Sequence, residues 1–290
     1  MKNLKGIFPA LPTPFTKDDK INEKALEALV RLNMDKGVDG FYVGGSTSEA
    51  FLLTLDERKL ILEVVNDTVK GKAAIIAHIG CIATSQAISL AKHAEKLKID
   101  AISSVAPFYF KFSFEEIKNY YFTIVDNVNL PMIIYNFPGF SGVTFSDENI
   151  GEFMRDDRFA GIKHTSSDYF ALERIKNNYK NKVIYNGFDE MFLAGLSMGA
   201  DGGIGSTYNF MAEKFIQIKK MFEQNEIKEA QALQKDVNTI IKELLKVGVI
   251  PGLKEMLNIM GHDFGFCREP FRKVSSEESD NLKRIALPLL

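Results

Sequence analysis

Short apolar runs alternate with longer amphipathic stretches along most of this chain. The apolar runs predict eight β-strands, at residues 6–10, 40–44, 73–79, 101–105, 132–135, 161–163, 183–186 and 202–205. Apolar positions three or four residues apart predict helices between them, for example at 23–36, 55–69, 85–97 and 114–128. Eight consecutive strand–helix units favour a closed (β/α)8 TIM barrel over an open doubly wound sheet.

The pattern changes after residue 225, where strand signals fade and helical periodicity covers 227–247, 252–260 and the stretch from 276 onward. We therefore predict a barrel catalytic domain at residues 1–223 and a C-terminal helical bundle, packed on the barrel, at 224–290. The apolar faces of this bundle must be covered by the barrel or by another subunit.

Composition excludes several classes of protein. The chain has 290 residues, 46% of them hydrophobic and 26% charged, with a formal net charge of −2. These values indicate a folded protein without long-range attraction for nucleic acid. No run approaches the roughly 20 apolar residues that span a bilayer, so we expect a cytoplasmic protein without a membrane partner. Cys81 and Cys267 form no Cys/His cluster, and no metal site is predicted.

Lys163 ends the apolar run 159–163, just before the polar stretch 164–168. Active sites of barrels lie at the carboxyl ends of the strands, where this amine would be partly desolvated. A desolvated amine is a candidate Schiff-base nucleophile toward a carbonyl compound. The alternative interpretation is a strand-end lysine that reaches solvent.

Two polar loops follow other predicted strands. After the second strand, Ser46 and Thr47 follow paired glycines, which suits either an anion-binding turn or an ordinary helix cap. After the seventh strand, Asp189 and Glu190 would repel phosphate and suit the hydroxyls of a polyol, or would simply begin a helix. Ser206, after the eighth strand, has the same two interpretations.

Two tyrosines also lie at predicted strand ends. Tyr135 ends the fifth strand and could transfer protons, although packing is the commoner role of such a tyrosine. Tyr109 belongs to an aromatic segment, 107–110, that first suggests packing.

Four motifs occur in barrel order: G-S-T-x-E at 45–49, Y-N-x-P at 135–138, G-I-K-x-T-S at 161–166 and G-F-D-E at 187–190. Together they resemble the pyruvate-dependent class I aldolase family, over essentially the whole chain. The segments 41–47, 107–109, 202–209 and 267–271 resemble the branch of that family that acts on sialic acid.

The resemblance implies a reversible aldol cleavage in which Lys163 forms an imine with the C2 ketone of N-acetylneuraminate, releasing N-acetylmannosamine and pyruvate. It implies that Tyr135 moves the proton of the C4 hydroxyl with the help of Ser46, and that a neighbouring subunit of a homotetramer supplies Tyr109. It requires neither a metal ion nor a cofactor. The implied substrate-binding residues are Ser46, Thr47, Thr165, Gly187, Asp189, Glu190 and Ser206.

Two positions refine the resemblance. Phe140 stands where dihydrodipicolinate synthases typically carry an arginine, which disfavours a dicarboxylate product. Ser48 replaces a family glycine, which would cost about 1 kcal/mol if the backbone there required a positive φ.

Three other functions remain as alternatives. Dihydrodipicolinate synthesis and the cleavage of another 2-keto-3-deoxy sugar acid would use the same lysine chemistry. A non-catalytic sugar-acid-binding protein would have kept the fold without turnover.

Overall fold

The computed structural model describes residues 2–290, and its centre is a sheet of eight parallel strands. The strands are β1 (Gly6–Pro9), β2 (Gly40–Val43), β3 (Ala74–His78), β4 (Ala101–Val105), β5 (Met132–Asn136), β6 (Phe159–His164), β7 (Val183–Asn186) and β8 (Gly202–Gly205). Their spatial order is β1-β8-β7-β6-β5-β4-β3-β2. A bridge between Ala10 and Tyr42 joins β1 to β2, so the predicted (β/α)8 barrel is confirmed.

Helices surround this sheet and continue beyond it. They are α1 (Glu23–Asp35), α2 (Leu55–Val69), α3 (Thr84–Lys96), α4 (Phe114–Val125), α5 (Pro138–Ser141), α6 (Gly151–Met154), α7 (Tyr169–Asn178), α8 (Phe192–Ser197), α9 (Tyr208–Glu223), α10 (Ile227–Val247), α11 (Val249–Ile259) and α12 (Ser276–Ala286). Helices α2 and α4 begin with capping boxes, in which Thr54 pairs with Glu57 and Ser113 with Glu116.

The last three helices contact one another and the barrel. Helix α10 packs on α8 and α9, and α12 packs on α10 and α11. Helices α9 and α10, on either side of residue 224, pack on each other, so no boundary between two domains is visible there. The predicted division at that residue stays a prediction.

Within residues 2–290, none of the helices has both the length and the apolar character needed to cross a membrane.

The core has two layers, as the alternation of side chains along a barrel strand requires. Inward-facing side chains fill the barrel, and the outer faces of the strands pack against the helices. The large interior residues include Phe8, Tyr42, Ile76, Ile133, Tyr185 and Ile204.

Strand β6 starts two residues before the predicted position. Met132 of β5 pairs with Phe159, and after a register shift Ile133 pairs with Gly161. The predicted strand, 161–163, covers only the second half of the apolar run 159–163, whereas the observed strand covers all of it. The shift sets Lys163 level with Tyr135 on β5 and Tyr185 on β7.

Close backbone contact at Gly161 predicts sensitivity to a single methyl group. A Cβ at this position would lie 1.9 Å from the Val183 carbonyl oxygen of the neighbouring strand. We expect Gly161→Ala to lower the free energy of unfolding by about 3 kcal/mol, as overpacking does in a rigid core. Urea denaturation measures this change.

Gly139→Ala is the matched control, because its Cβ would make only an ordinary contact, 3.6 Å from the Phe137 ring. It should change the free energy of unfolding by less than about 0.5 kcal/mol. Equal effects of the two substitutions would contradict the assigned cause.

Candidate active site

Lys163 projects from β6 into the barrel interior and is only 5% exposed. Its Nζ lies 4.5 Å from the centroid of the Tyr42 ring and 4.2 Å from that of Tyr135. Burial lowers the pKa of this amine to about 7, while the carboxylate of Asp189 acts in the opposite direction. A substantial fraction of the amine is therefore neutral, and nucleophilic, at neutral pH.

Tyr135 is the neighbour of Lys163 on β5 and is buried. Burial raises the pKa of the phenol to about 12, and the nearby hydroxyls of Ser46 and Thr165 oppose that rise. The phenol is therefore protonated at neutral pH and placed between the reactive amine and two hydroxyl groups that can relay its proton.

The loop after β2 contains two 3-10 turns, Ser46–Ser48 and Ala50–Leu52. The Thr47 hydroxyl lies 2.7 Å from the Ser206 hydroxyl, so this loop meets the one that follows β8. Hydroxyl groups and the free backbone amides of such a turn are suited to binding a carboxylate.

Ser48 fits this loop without backbone strain. The left-handed residue here is the next one, Glu49, with a φ of 59°. The Ser48 hydroxyl donates a hydrogen bond to the Leu11 carbonyl at 2.5 Å and accepts one from the Gly44 amide at 3.2 Å. The Ser48 side chain therefore ties this loop to the segment that follows β1.

Asp189 lies in a 3-10 turn after β7, Asp189–Met191. Its Oδ2 accepts hydrogen bonds from the backbone N (2.8 Å) and the hydroxyl (2.7 Å) of Thr207. Burial raises the pKa of this carboxyl to about 6, although the bonds from Thr207 oppose the rise. Its other oxygen, Oδ1, is buried and accepts no hydrogen bond from the residues described, 2–290.

Thr165 and Gly187 fit closely together. A Cβ on Gly187 would lie 1.9 Å from Thr165 Oγ1, so only glycine leaves room for this hydroxyl. Thr165 Oγ1 is also buried; the Tyr135 phenol is nearby, but no hydrogen bond of normal geometry reaches this oxygen within the described part of the chain. Buried polar groups are nearly always paired, so Thr165 Oγ1 and Asp189 Oδ1 are two groups suited to a bound ligand.

Helix α10 supports the loop after β7 from outside the barrel. Gln234 Nε2 donates a hydrogen bond to the Asp189 carbonyl at 3.1 Å, and Asn238 Nδ2 donates one to the Glu190 carbonyl at 3.0 Å. Glu190 is half-buried beside Asp189, and its negative charge contributes to the raised pKa of that neighbour.

Of the residues predicted for the site, most lie together at the carboxyl ends of the barrel strands. This group comprises Ser46, Thr47, Tyr135, Lys163, Thr165, Gly187, Asp189, Glu190 and Ser206. Tyr109 is the exception, since its side chain is 84% exposed and packs edge-on against the Phe110 ring rather than on the site. The individual roles of all these residues stay predictions.

Sequence reasoning missed two residues of the site. Tyr42 contacts Lys163 from β2, across the barrel, and Thr207 holds the Asp189 carboxylate. The alternation of β2 marks Tyr42 as inward-facing, but only the closed barrel brings it to the lysine. For Thr207 the sequence gives no comparable signal.

A mainly apolar cleft of about 890 Å³ lies beside this site, and Ser46 lines both. Phe137 and Phe140 pack against each other in its wall, with ring centroids 4.2 Å apart, and Phe51 packs on Phe108 at 4.6 Å. Phe140 is 70% exposed and presents no charge that could bind a second carboxylate.

The fold and site define a (β/α)8 barrel built around a buried, nucleophilic lysine. Residues 3–287 match the dihydrodipicolinate synthetase family, and the chain belongs to that family.

Similar proteins cover the whole chain. A protein named N-acetylneuraminate lyase from Enterobacter sp. (strain 638) is 42% identical over 291 residues, which span 100% of this chain and 98% of that protein. CdNal from Clostridium difficile, solved in complex with mannosamine, is 40% identical with a TM-score of 0.97 and full coverage of both chains. N-acetylneuraminate lyase from Fusobacterium nucleatum, solved with pyruvate, is 39% identical with a TM-score of 0.94, covering 99% of this chain and 97% of that one.

The burial of Lys163 predicts an unusual titration. As pH rises, this amine should lose its proton near pH 7, whereas lysines ordinarily do so near 10.5. In Asp189→Asn the negative charge that favours the protonated amine is gone, so the midpoint should move to lower pH. Carbon NMR of 13C-labelled lysine measures both midpoints, and Lys163→Met identifies the resonance by its loss. A midpoint near 10 would contradict the assigned desolvation.

Proposed function

We propose that this protein is a carbon–carbon lyase that cleaves N-acetylneuraminate reversibly to N-acetylmannosamine and pyruvate through a Schiff base on Lys163. The observation that carries the proposal is the buried lysine, whose lowered pKa provides a neutral amine at physiological pH. The names of the similar proteins, at 42% identity over the whole chain, support this substrate.

The first step joins Lys163 Nζ to the C2 ketone of the open-chain sugar. The carbinolamine that forms loses its hydroxyl as water, and the phenol of Tyr135 supplies the proton for that departure. The product is a protonated imine, whose positive charge lies between the rings of Tyr42 and Tyr135. Aromatic faces stabilise such a cation.

The second step breaks the C3–C4 bond. The phenolate of Tyr135 takes the proton of the C4 hydroxyl, C4 becomes the aldehyde of N-acetylmannosamine, and the bonding electrons enter the imine to form an enamine. Protonation at C3 and hydrolysis then release pyruvate and restore the amine of Lys163. The iminium acts as the electron sink throughout.

Substrate recognition follows from the unpaired polar groups of the site. Ser46 and Thr47 bind the carboxylate of the substrate. Asp189 Oδ1 and Glu190 accept hydrogen bonds from the hydroxyls of the sugar, and the hydroxyls of Thr165 and Ser206 donate or accept them. Two carboxylates at this end of the site suit a polyol and repel a phosphate.

We further propose that the protein is a homotetramer in which each site receives Tyr109 from a neighbouring subunit. Tyr109 has a left-handed backbone, with a φ of 77°, and an exposed ring beside the exposed Phe110. A strained backbone that displays an aromatic side chain to solvent is typical of a residue that contacts a partner.

We also assign the protein to the cytoplasm. Cys81 and Cys267 are both free thiols, which suits a reducing compartment.

Borohydride trapping tests the proposed reaction. Incubation with N-acetylneuraminate and borohydride should attach a reduced pyruvyl group to Lys163, detected by intact mass and peptide mapping. Lys163→Met should show no adduct. An adduct from pyruvate but not from N-acetylneuraminate would favour another 2-keto-3-deoxy sugar acid aldolase, and no adduct from either compound would favour a sugar-acid-binding protein.

Subunit complementation tests the role of Tyr109. Tyr109→Ala should reduce kcat by at least about tenfold while the tetramer persists. When tetramers of Tyr109→Ala are dissociated and reassembled with Lys163→Ala, mixed sites with an intact lysine and a donated tyrosine should regain activity. No regain in demonstrably mixed tetramers would show that Tyr109 does not act across subunits.

A further inference from the structure

Glu49 lies in the loop after β2, directly after Ser46–Ser48. Its side chain contacts the C-terminal part of the chain. Its Oε1 lies 2.5 Å from Nζ of Lys254 on α11, and the two side chains are 0% and 1% exposed. Its Oε2 accepts a hydrogen bond of 2.7 Å from the backbone N of Arg268. Both carboxylate oxygens of Glu49 are thus held by residues more than 200 positions away in the sequence.

Arg268 secures the same loop at a second point. Its Nη1 donates hydrogen bonds to the Leu52 carbonyl at 3.0 Å and to Glu57 Oε2 at 2.9 Å. Its Nε pairs with Asp19 Oδ1 at 3.0 Å. Glu49 and Leu52, the two ends of the segment 49–52, are therefore both held by residues that follow the barrel, Lys254 and Arg268.

The two cations share one aromatic ring. Lys254 Nζ lies 4.3 Å from the centroid of the Phe15 ring, and the guanidinium carbon of Arg268 lies 4.5 Å from it. Lys254 also donates a hydrogen bond to the Phe266 carbonyl at 3.0 Å. The Phe15 ring and the Phe266 carbonyl fix the position of the Lys254 ammonium group, and this group in turn fixes the position of the Glu49 carboxylate.

A buried ion pair of this kind contributes little net stability, because desolvation of both charges offsets their attraction. Its effect is on geometry. Glu49 is a non-glycine residue in a left-handed conformation, φ 59°, and such conformations persist where the surroundings fix them. The pair with Lys254 supplies that constraint immediately after Ser46–Ser48.

We propose that Lys254 is a positioning residue for substrate binding: through its ion pair with Glu49 it holds the loop that aims Ser46 and Thr47 at the carboxylate of the keto acid. This inference rests on the proposed function. Lys163 and Tyr135 stand on different elements, β6 and β5, so loss of the pair weakens carboxylate binding much more than it slows imine formation.

The test measures how the borohydride trapping of pyruvate on Lys163 depends on pyruvate concentration. The double variant Glu49→Gln, Lys254→Met removes both charges of the ion pair, so neither partner is left buried with an unpaired charge. It should need about tenfold more pyruvate for half-maximal trapping, the cost of weakening one charged hydrogen-bonding contact. Its trapping rate at saturating pyruvate should remain within about twofold of the wild type, because Lys163 is unchanged.

Lys182→Met is the matched control. Lys182 is also buried, but it donates to the Phe159 carbonyl at 2.7 Å, at the opposite end of β6 from Lys163. Its half-maximal pyruvate concentration should stay at the wild-type value even though its unfolding midpoint falls. Arg268→Met removes a partly exposed side chain and should raise the half-maximal pyruvate concentration by about threefold. This variant replaces the double variant in the test if the double variant does not fold.

The outcomes are distinct. Wild-type protein that traps no pyruvate would overturn the proposed function, and this inference with it. The inference alone would be overturned by a different result. In that case the wild type traps pyruvate, and the folded Glu49→Gln, Lys254→Met and Arg268→Met variants reach half-maximal trapping at the same pyruvate concentration as the wild type and Lys182→Met.

Discussion

The candidate active site is organised around the desolvation of one amine, that of Lys163. Lys163 is in the barrel interior because β6 holds its register against β5, and it stays dry because the rings of Tyr42 and Tyr135 cover it. Burial disfavours the ammonium form, while the buried Asp189 favours it, so the pKa of about 7 reflects both effects. A drier site without a carboxylate would keep the amine neutral but would stabilise an iminium cation less well. Such a balance suits a residue that must be a neutral nucleophile first and a cation afterwards.

The part of the chain after the barrel contacts the loops around the site. Gln234 and Asn238 of α10 hold the backbone of the acidic loop after β7, and Lys254 and Arg268 hold the loop after β2. Lys163 and Tyr135, by contrast, are positioned by the strands themselves. The barrel strands therefore fix Lys163 and Tyr135, and the chain after the barrel fixes the loops that follow β2 and β7.

The sequence predicted the barrel, its eight strands and the lysine because these depend on local patterns: apolar alternation, helical periodicity and a charged residue ending an apolar run. It placed the start of β6 two residues late, at Gly161, because the register shift beside Met132 depends on strand pairing. It missed Tyr42 and Thr207 because their roles arise only when distant strand ends meet. The Glu49–Lys254 pair was beyond its reach for the same reason, although Glu49 was visible as part of a motif.

The bond between the Arg268 backbone and Glu49 joins residues 219 positions apart, which has a consequence for the order of assembly. The loop after β2 is synthesised early, but its partners Lys254 and Arg268 follow it by more than 200 positions. Contacts of such long range form late in folding, since the intervening chain must be ordered before they can close. A nascent chain that has completed β8 therefore contains Lys163 before the partners that fix the loop after β2 have been made. The final geometry of that loop depends on residues synthesised after the whole barrel.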